Sequence, residues 1–290
     1  MRQPSDEETA GAALATGIRG SVGTLLRQVY ARFTADAIQN DPRSRDFVVL
    51  DTLADQDADS QRDLAERLGI NRTIMVRLID RLEESGYVQR TRNPANRRSY
   101  VLSITDAGRK ALDEMRHLVS DRDARITAAL SRRERKRLDE LLRGLLPEQP
   151  AIRSTEYLVA HAHYLLRRRG DALLADIGLK IRHFGPLFAI DRLGPCPQLQ
   201  LAQYLDITEP AAAEVVDELV LAGLVARGQD PKDRRRYALE LTRLGRQRLG
   251  VARGVVEELN ADVQDTLGAD GVRDLRTLLT KLLPAEEPAN

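Results

Sequence analysis

The sequence predicts a mainly helical protein with small β-wings, in which two winged helix-turn-helix domains are joined by a helical dimerisation region with approximate two-fold symmetry. Three observations predict this fold class. Aromatic residues make up only 4% of the 290 residues and Trp is absent, so the core must consist mostly of aliphatic side chains, which favours helices. The chain repeats itself once. Each copy combines short helical patterns with the pattern of one β-hairpin.

The repeat defines the organisation of the chain. When the sequence is shifted by 137 residues, 16 of the 45 positions in 64–108 are identical to those in 201–245, without a gap. Ordinary residue frequencies would give about three identities. Two copies are too few for a solenoid, so they predict a covalently joined dimer. We expect a disordered tail at 1–12, copy one at 13–146, a linker at 147–150 and copy two at 151–290.

Copy one contains the pattern of a helix-turn-helix followed by a hairpin. Apolar spacing predicts a short helix over Leu64–Gly69 and a second helix that is capped by Asn71. Alternating apolar and polar residues predict strands at Tyr87–Arg92 and Tyr100–Ile104, on either side of the polar turn Asn93–Ser99. These elements together form a winged helix.

Longer amphipathic helices are expected to flank this domain, at Gly20–Asn40, Asp106–Leu130 and Ser131–Leu146. Ser131 and Glu134 fit a capping box at the start of the last of these helices. In copy two, Thr208 is expected to cap the second helix of the helix-turn-helix, with Pro210 in its first turn.

Both copies carry a shared pattern from the wing to the following helix. Copy two has Asp233, Arg235, Leu241-Thr242 and Gly245, and copy one has Asn96, Arg98, Ile104-Thr105 and Gly108. These residues resemble the MarR family of transcriptional regulators, whose wing pattern is Asp-x-Arg, five residues, then Leu-Thr. Copy two meets the pattern fully, whereas copy one has Asn for the Asp and Ile for the Leu. The resemblance covers nearly the whole chain.

The resemblance implies a cytoplasmic, sequence-specific DNA-binding regulator of transcription, expected to act as a repressor. Members of the family usually bind pseudo-palindromic double-stranded DNA as homodimers. One chain of this protein would therefore act as a pseudodimer, a monomer that supplies both halves, with further dimerisation left open. Its two recognition helices would lie one DNA turn apart, about 34 Å. The resemblance also implies a small-molecule effector, in a crevice between the helical region and each winged helix. Five residues of the flanking helices are considered for its lining, although such residues more often belong to the core: Tyr30, Phe33, His163, Tyr164 and Phe184.

The candidate DNA-binding residues of copy one lie on the second helix and the wing. With Met75, Leu78, Ile79 and Leu82 assigned to the core, the residues left for the major groove are Arg72, Thr73, Val76 and Arg77. Arg can bind guanine in a bidentate manner, and Thr or Val can contact the thymine methyl group. Arg97 and Arg98 in the wing suit the minor groove and its phosphates.

Copy two differs from copy one in charge. Residues 62–110 carry a net charge of +5, whereas the equivalent residues 199–247 carry −1. The groove positions Arg72 and Arg77 become Glu209 and Glu214. The remaining candidate DNA contacts of copy two are Thr208, Lys232, Arg234, Arg235 and Arg236. Copy two is therefore either a weaker reader of DNA or mainly a positioning half, and the operator is expected to be asymmetric.

Other functions have little support in the sequence. No apolar run approaches the ~20 residues that span a bilayer, so no membrane partner is expected. The single Cys196 suits a reducing compartment and, between Pro195 and Pro197, is expected to be an unreactive loop thiol. His161 and His163 do not form a known zinc pattern, so no cofactor is predicted. No motif places a catalytic constellation, so the chain is not expected to be an enzyme. The alternative is a winged-helix protein-interaction module that has lost DNA binding in one or both halves.

Overall fold

The computed structural model of the chain describes residues 20–40, 44–58, 60–68, 70, 72–94, 99–147, 154–205, 207–229 and 237–284. It contains two compact units. Unit one consists of the described residues up to 165 together with 263–284, and unit two consists of 166–262. These limits do not follow the two sequence copies, because helices from the ends of both copies lie together in unit one. The predicted limits of the repeats stay a prediction, and the tail at 1–12 lies outside the described residues, as does most of the linker.

The helices of copy one are α1 (Val22–Asn40), α2 (Ser44–Asp55), α3 (Gln61–Leu68), α4 (Arg72–Glu84), α5 (Asp106–Ile126) and α6 (Arg132–Leu145). Its hairpin consists of the antiparallel strands β1 (Val88–Arg92) and β2 (Tyr100–Ile104). The mainly helical fold with a small hairpin is thus confirmed. The helix predicted over Asp106–Leu130 ends four residues earlier, where buried Thr127 turns the chain towards α6.

The helices of copy two are α7 (Thr155–Leu173), α8 (Ile181–Leu193), α9 (Gln198–Leu205), α10 (Glu209–Leu221) and α11 (Arg243–Lys281), with a 3₁₀ turn at Ala175–Ile177. Strands β3 (Val225–Gln229) and β4 (Tyr237–Leu241) form its hairpin. A shift of 137 residues superimposes the limits of α4 on those of α10, and the limits of each strand on its counterpart. Helix α11 is broken at Gly268, which has a φ of +70° and occupies the position equivalent to Ser131.

The helical part of unit one contains equivalent residues from both copies. Leucines of α6 and of the last part of α11 are buried at equivalent positions: Leu141, Leu142, Leu145, Leu278, Leu279 and Leu282. Arg137 of α6 forms an ion pair at 2.9 Å with Asp274, the residue 137 positions later. Equivalent residues meet each other where a two-fold axis passes between them, so this contact fits a local two-fold axis between α6 and the last part of α11.

The start of α7 is held by a group of charged residues from copy one. The buried hydroxyl of Thr155 donates to Asp139 at 2.8 Å, and the backbone N–H of Glu156 donates to Asp123 at 3.3 Å. The guanidinium of Arg122, only 2% exposed, donates to Glu156 at 2.9 Å. Burial raises the pKa of Asp123, and burial with the neighbouring Asp123 raises the pKa of Asp139 to about 6.

Each hairpin is extended by a single bridging residue from the segment before the helix-turn-helix. Ala58 pairs with Leu102 in unit one, and Cys196 pairs with Leu239 in unit two. Leu102 and Leu239 are equivalent under the shift of 137 residues. Cys196 lies one residue beyond the position equivalent to Ala58, so the structural equivalence of the two copies differs from the sequence shift by one residue at this point. Cys196 was predicted to be a loop thiol; it is instead fully buried in this bridge, and burial raises the pKa of its thiol.

Candidate nucleic-acid interface

Helix α4 has one buried face and one exposed face, as the sequence predicts. Met75, Leu78, Ile79 and Leu82 are its buried residues, and they join the apolar core of the first winged helix. On the other face the candidate groove residues Arg72, Thr73, Val76 and Arg77 are all exposed, with Val76 at 43%. The spacing of the core residues is therefore sufficient to bring these four side chains onto one surface.

The arginines around this face fall into two groups. Arg81 on α4 pairs with Asp46 of α2. Arg90 on β1 pairs with Asp80 and Glu83 of α4, which ties the wing to the helix. Neither Arg72 nor Arg77 has an ion-pair partner within the part of the chain that the structure describes. As far as the described residues go, two cations on the exposed face of α4 are thus without an ion-pair partner.

The wing carries a further exposed cation that the sequence analysis did not single out. Arg92 is the last residue of β1 and its side chain is exposed. The alternation of the strand could not have indicated it, because Arg92 has the same parity as buried Val88 and as Arg90, which pairs with α4. The predicted wing residues Arg97 and Arg98 lie outside the described residues, as does Asn96.

The Thr-x-x-Gly part of the family pattern has a structural role in both copies. Thr105 caps α5 by accepting from the N–H of Gly108 at 3.0 Å, and its hydroxyl donates to the carbonyl of Gly86. A Cβ on Gly108 would overlap the carbonyl oxygen of Tyr87. Thr242 and Gly245 repeat these contacts in copy two. The motif therefore joins the hairpin to the following helix.

In copy two, the equivalent helix α10 presents acidic residues. Thr208 caps it by accepting from the N–H of Ala211, and Pro210 lies in its first turn, as predicted. Glu209 and Glu214 are exposed, whereas Ala213, at the position equivalent to the groove residue Val76, is half-buried. The predicted wing residues Lys232, Arg234, Arg235 and Arg236 lie outside the described residues. The exposed face of α10 is thus the electrostatic opposite of that of α4.

Glu218 of α10 occupies the position equivalent to Arg81. Its carboxylate accepts from Arg182 at 2.6 Å and lies 3.0 Å from Nε2 of buried His183. Nδ1 of His183 accepts from the N–H of Lys180 at 3.1 Å, so Nε2 carries the proton of the neutral ring and donates to Glu218. These partners lower the pKa of Glu218, with the His183 hydrogen bond as the largest cause.

The aromatic residues considered for an effector crevice mostly contact one another. In unit one, Tyr30 stacks on His163 with ring centroids 5.0 Å apart and shares a hydrogen bond with the hydroxyl of Tyr164. Phe33 is buried in the same unit. In unit two, Phe184 packs against Phe188 with ring centroids 5.9 Å apart. These contacts fit a role in the core.

Within the described residues, no three His, Cys, Asp or Glu side chains come together as metal ligands. None of the helices there has both the length and the apolar character to span a membrane.

Comparison with known proteins places each copy in the same family. The sequence models of the MarR family match residues 44–100 in copy one and 177–236 in copy two. Both matched segments contain the helix-turn-helix and the first strand of the hairpin. The repeat found by shifting the sequence therefore corresponds to two copies of one family domain.

Individual relatives agree with these matches. A protein assigned as the transcriptional regulator of the hcr operon in Thauera aromatica is 34% identical over 99 residues, which are 34% of this chain and 60% of that protein. The transcriptional repressor NicR of Pseudomonas putida is 34% identical over 98 residues, 32% of this chain and 62% of that protein. The chain thus spans about three fifths of the length of these curated relatives.

Among solved structures, a mutant of MarR from E. coli in complex with operator DNA is 26% identical. The match covers 41% of this chain and 86% of that one, with a TM-score of 0.39. The two family matches, one in each half of the sequence, and the named relatives lead to one conclusion. Each half of the chain contains a winged-helix segment of the MarR family type.

Proposed function

We propose that the chain is a sequence-specific DNA-binding transcriptional regulator, acting as a repressor, in which one molecule serves as a pseudodimer and copy one is the main reader of bases. The observation that carries the proposal is the exposed face of α4. Within the described part of the chain Arg72 and Arg77 have no ion-pair partner, while Arg81 and Arg90 are held in ion pairs. Regulators and repressors among the relatives of the chain support the same function.

Each candidate residue then has a separate role. Arg72 and Arg77 bind guanine edges in the major groove, and Thr73 and Val76 contact thymine methyl groups. Arg97 and Arg98 in the wing contact the minor groove or its phosphates. Thr208 and the wing cations of copy two contact the backbone, namely Lys232, Arg234, Arg235 and Arg236.

The first test is selection of duplexes from a randomised library, followed by measurement of Kd by fluorescence anisotropy. Each bidentate contact contributes about 1–3 kcal/mol of discrimination, so we expect the Arg72→Ala/Arg77→Ala variant to lose at least about 30-fold in affinity for the selected duplex. Arg116→Ala/Arg125→Ala is the control, because it removes the same charge from exposed positions of α5. Equal losses in both variants would contradict the assignment of α4.

The proposal also includes an asymmetric operator, because Glu209 and Glu214 repel phosphates where Arg72 and Arg77 attract them. Glu can still accept from cytosine, so copy two can retain some base contacts. A scan of every base pair in the selected duplex tests this point. We expect substitutions in one half-site to cost more than those in the other, and equal sensitivity in both halves would rule out the asymmetry.

The proposal has two further parts: a small molecule releases the protein from DNA, and a single chain binds each duplex. Addition of a panel of small organic acids and amines to the protein–DNA complex, read by anisotropy, tests for an effector. Light scattering of the complex tests the stoichiometry, and one chain per duplex is expected. Two chains per duplex would instead indicate a four-winged assembly.

Copy two provides the observation that favours the alternative, a protein-interaction module. Besides its exposed Glu209 and Glu214, α10 ends in Leu221, which is 91% exposed, where copy one has Glu84. If the chain binds no duplex even at low salt, and the Arg72→Ala/Arg77→Ala variant behaves like the wild type, this alternative is favoured.

A further inference from the structure

Each second helix of the helix-turn-helix is joined by a charged contact to the helix that precedes the motif. Arg81 of α4 pairs with Asp46 of α2, and Glu218 of α10 pairs with His183 of α8. The residues of the two pairs are equivalent, since 137 positions separate Asp46 from His183 and Arg81 from Glu218. The signs are reversed: the cation lies on the helix in copy one, and the anion lies on it in copy two.

The contacts involve buried groups, not loose surface pairs. Asp46 is 7% exposed and His183 is 8% exposed, and each lies in the first turn of its helix. Glu218 is held by a third residue, Arg182, and copy one already has Arg45 at the position equivalent to Arg182. A buried polar group that loses its partner is strongly destabilising, so each contact restricts where its helix can lie.

The position of the contact links it to the groove residues. Arg81 lies four residues after Arg77, and Glu218 lies four residues after Glu214, so each anchored residue is one helical turn from a groove position on the same side of its helix. A contact at this position restricts rotation of the helix about its axis. Bidentate contacts to bases depend on such orientation, whereas attraction to phosphates does not.

We propose that Asp46 with Arg81, and Glu218 with His183 and Arg182, are positioning residues that orient the two second helices for base recognition, and that the reversed charges perform the same task in each copy. This inference rests on the proposed function. Asp46 also keeps Arg81 from acting as a free cation. Breaking the pair therefore lowers discrimination between sequences without lowering general attraction to DNA.

The experiment measures Kd for the full-length chain with the duplex that the wild type selects and with an unrelated duplex of equal length. We expect Asp46→Asn to reduce the ratio of the two affinities about tenfold. Its affinity for the unrelated duplex stays equal or rises, because Arg81 is released towards phosphates. The double variant Asp46→His/Arg81→Glu, together with the existing Arg45, reproduces the Arg182, His183 and Glu218 contact of copy two. We expect it to restore the ratio of the two affinities to within about threefold of the wild type. Its lower net charge weakens the affinity for both duplexes.

Asp113→Asn is the matched control, because it removes an acid from an exposed ion pair with Arg116 on α5 and should leave the ratio unchanged. Arg81→Gln gives a second measurement should Asp46→Asn fail to fold, since Arg81 is half-exposed. A ratio within twofold of the wild type in Asp46→Asn or Arg81→Gln overturns the inference, as does a double variant that stays at the low ratio. If the wild type selects no sequence, the proposed function fails and the inference fails with it.

Discussion

Single residues distinguish the second helices of the two helix-turn-helix motifs, because α4 and α10 begin and end at equivalent positions. Arg72 and Arg77 of α4 become Glu209 and Glu214 of α10, with no change in the limits of the helix. Where a side chain would disturb the shared backbone, both copies keep glycine. Gly108 and Gly245 each leave room for a carbonyl oxygen of the hairpin.

Gly108→Ala should destabilise the first winged helix. The added Cβ would overlap the carbonyl oxygen of Tyr87, which forces α5 away from the hairpin, and we expect a loss of about 1–3 kcal/mol. Urea unfolding followed by circular dichroism measures this loss. The control is Gly23→Ala in α1, where a Cβ meets nothing within 4 Å and the helix should gain about 0.5–1 kcal/mol. Similar effects of the two substitutions would show that the close approach at Gly108 has no energetic role.

Asp139→Asn should remove a dependence of stability on pH. The pKa of Asp139 is about 6 in the folded chain and near 3.8 when unfolded, so folding takes up a proton between these values. The contribution of Asp139 is therefore fully present below about pH 4 and is lost as pH rises through 6. Asn keeps the hydrogen bond from Thr155 without ionising. We expect the variant to be about 1–2 kcal/mol more stable than the wild type at pH 7.5, after allowance for partial exposure.

The difference between the two unfolding free energies isolates Asp139 together with its interaction with Asp123, because the other carboxyls titrate alike in both proteins. The difference should shrink to zero near pH 4. Unfolding curves that differ by the same amount at pH 4 and pH 7.5 would indicate a change in packing and not a titrating carboxyl.

At the scale of elements, local signals predicted most of the structure. The capping box of Ser131 and Glu134 is present at the start of α6, and both of its hydrogen bonds form. The core residues of α4 were predicted from their spacing alone, since a helix buries one face whatever covers it. The strands of both hairpins form where their apolar residues predicted them, although burial does not alternate strictly along β3 and β4.

Contacts between elements could not be predicted in this way. Asp46 and Arg81 are 35 residues apart, and no local pattern indicates that α2 and α4 bring them together. The bridge of Cys196 was missed because Pro195 and Pro197 indicate a loop, whereas the pairing depends on where β4 lies. The exposure of Arg72 and Arg77 was predicted, but the neutralisation of Arg81 and Arg90 required the fold.

Ser131→Ala should weaken the start of α6. Loss of the side-chain acceptor leaves the N–H of Glu134 without its capping bond, and we expect a cost of about 0.5–2 kcal/mol. Thermal unfolding at pH 7 measures the change. Thr277→Ala serves as comparison, because that exposed hydroxyl only bonds the carbonyl of Arg273 within its own helix and its loss should be neutral or slightly stabilising. An unchanged melting temperature in Ser131→Ala would contradict the capping role.

At the scale of the whole molecule, the two copies are expected to contribute unequally to DNA binding. Glu214→Arg places in copy two the charge that Arg77 provides in copy one. We expect tighter binding to any duplex and a slope of log Kd against log salt that steepens by about 0.9 for one new phosphate contact. Glu258→Arg on an exposed position of α11 is the control. If both variants change affinity equally, net charge alone explains the effect and α10 does not approach DNA.

The ion pair of Arg137 with Asp274 has a consequence for the ancestry of the chain. The two residues hold the same place in their respective halves, yet they carry opposite charges and meet each other. Two separate identical subunits would bring arginine against arginine, or aspartate against aspartate, at that point. If the halves were separate chains, each homodimer would therefore place like charges together at this point, and only the pair of unlike halves would keep the attraction.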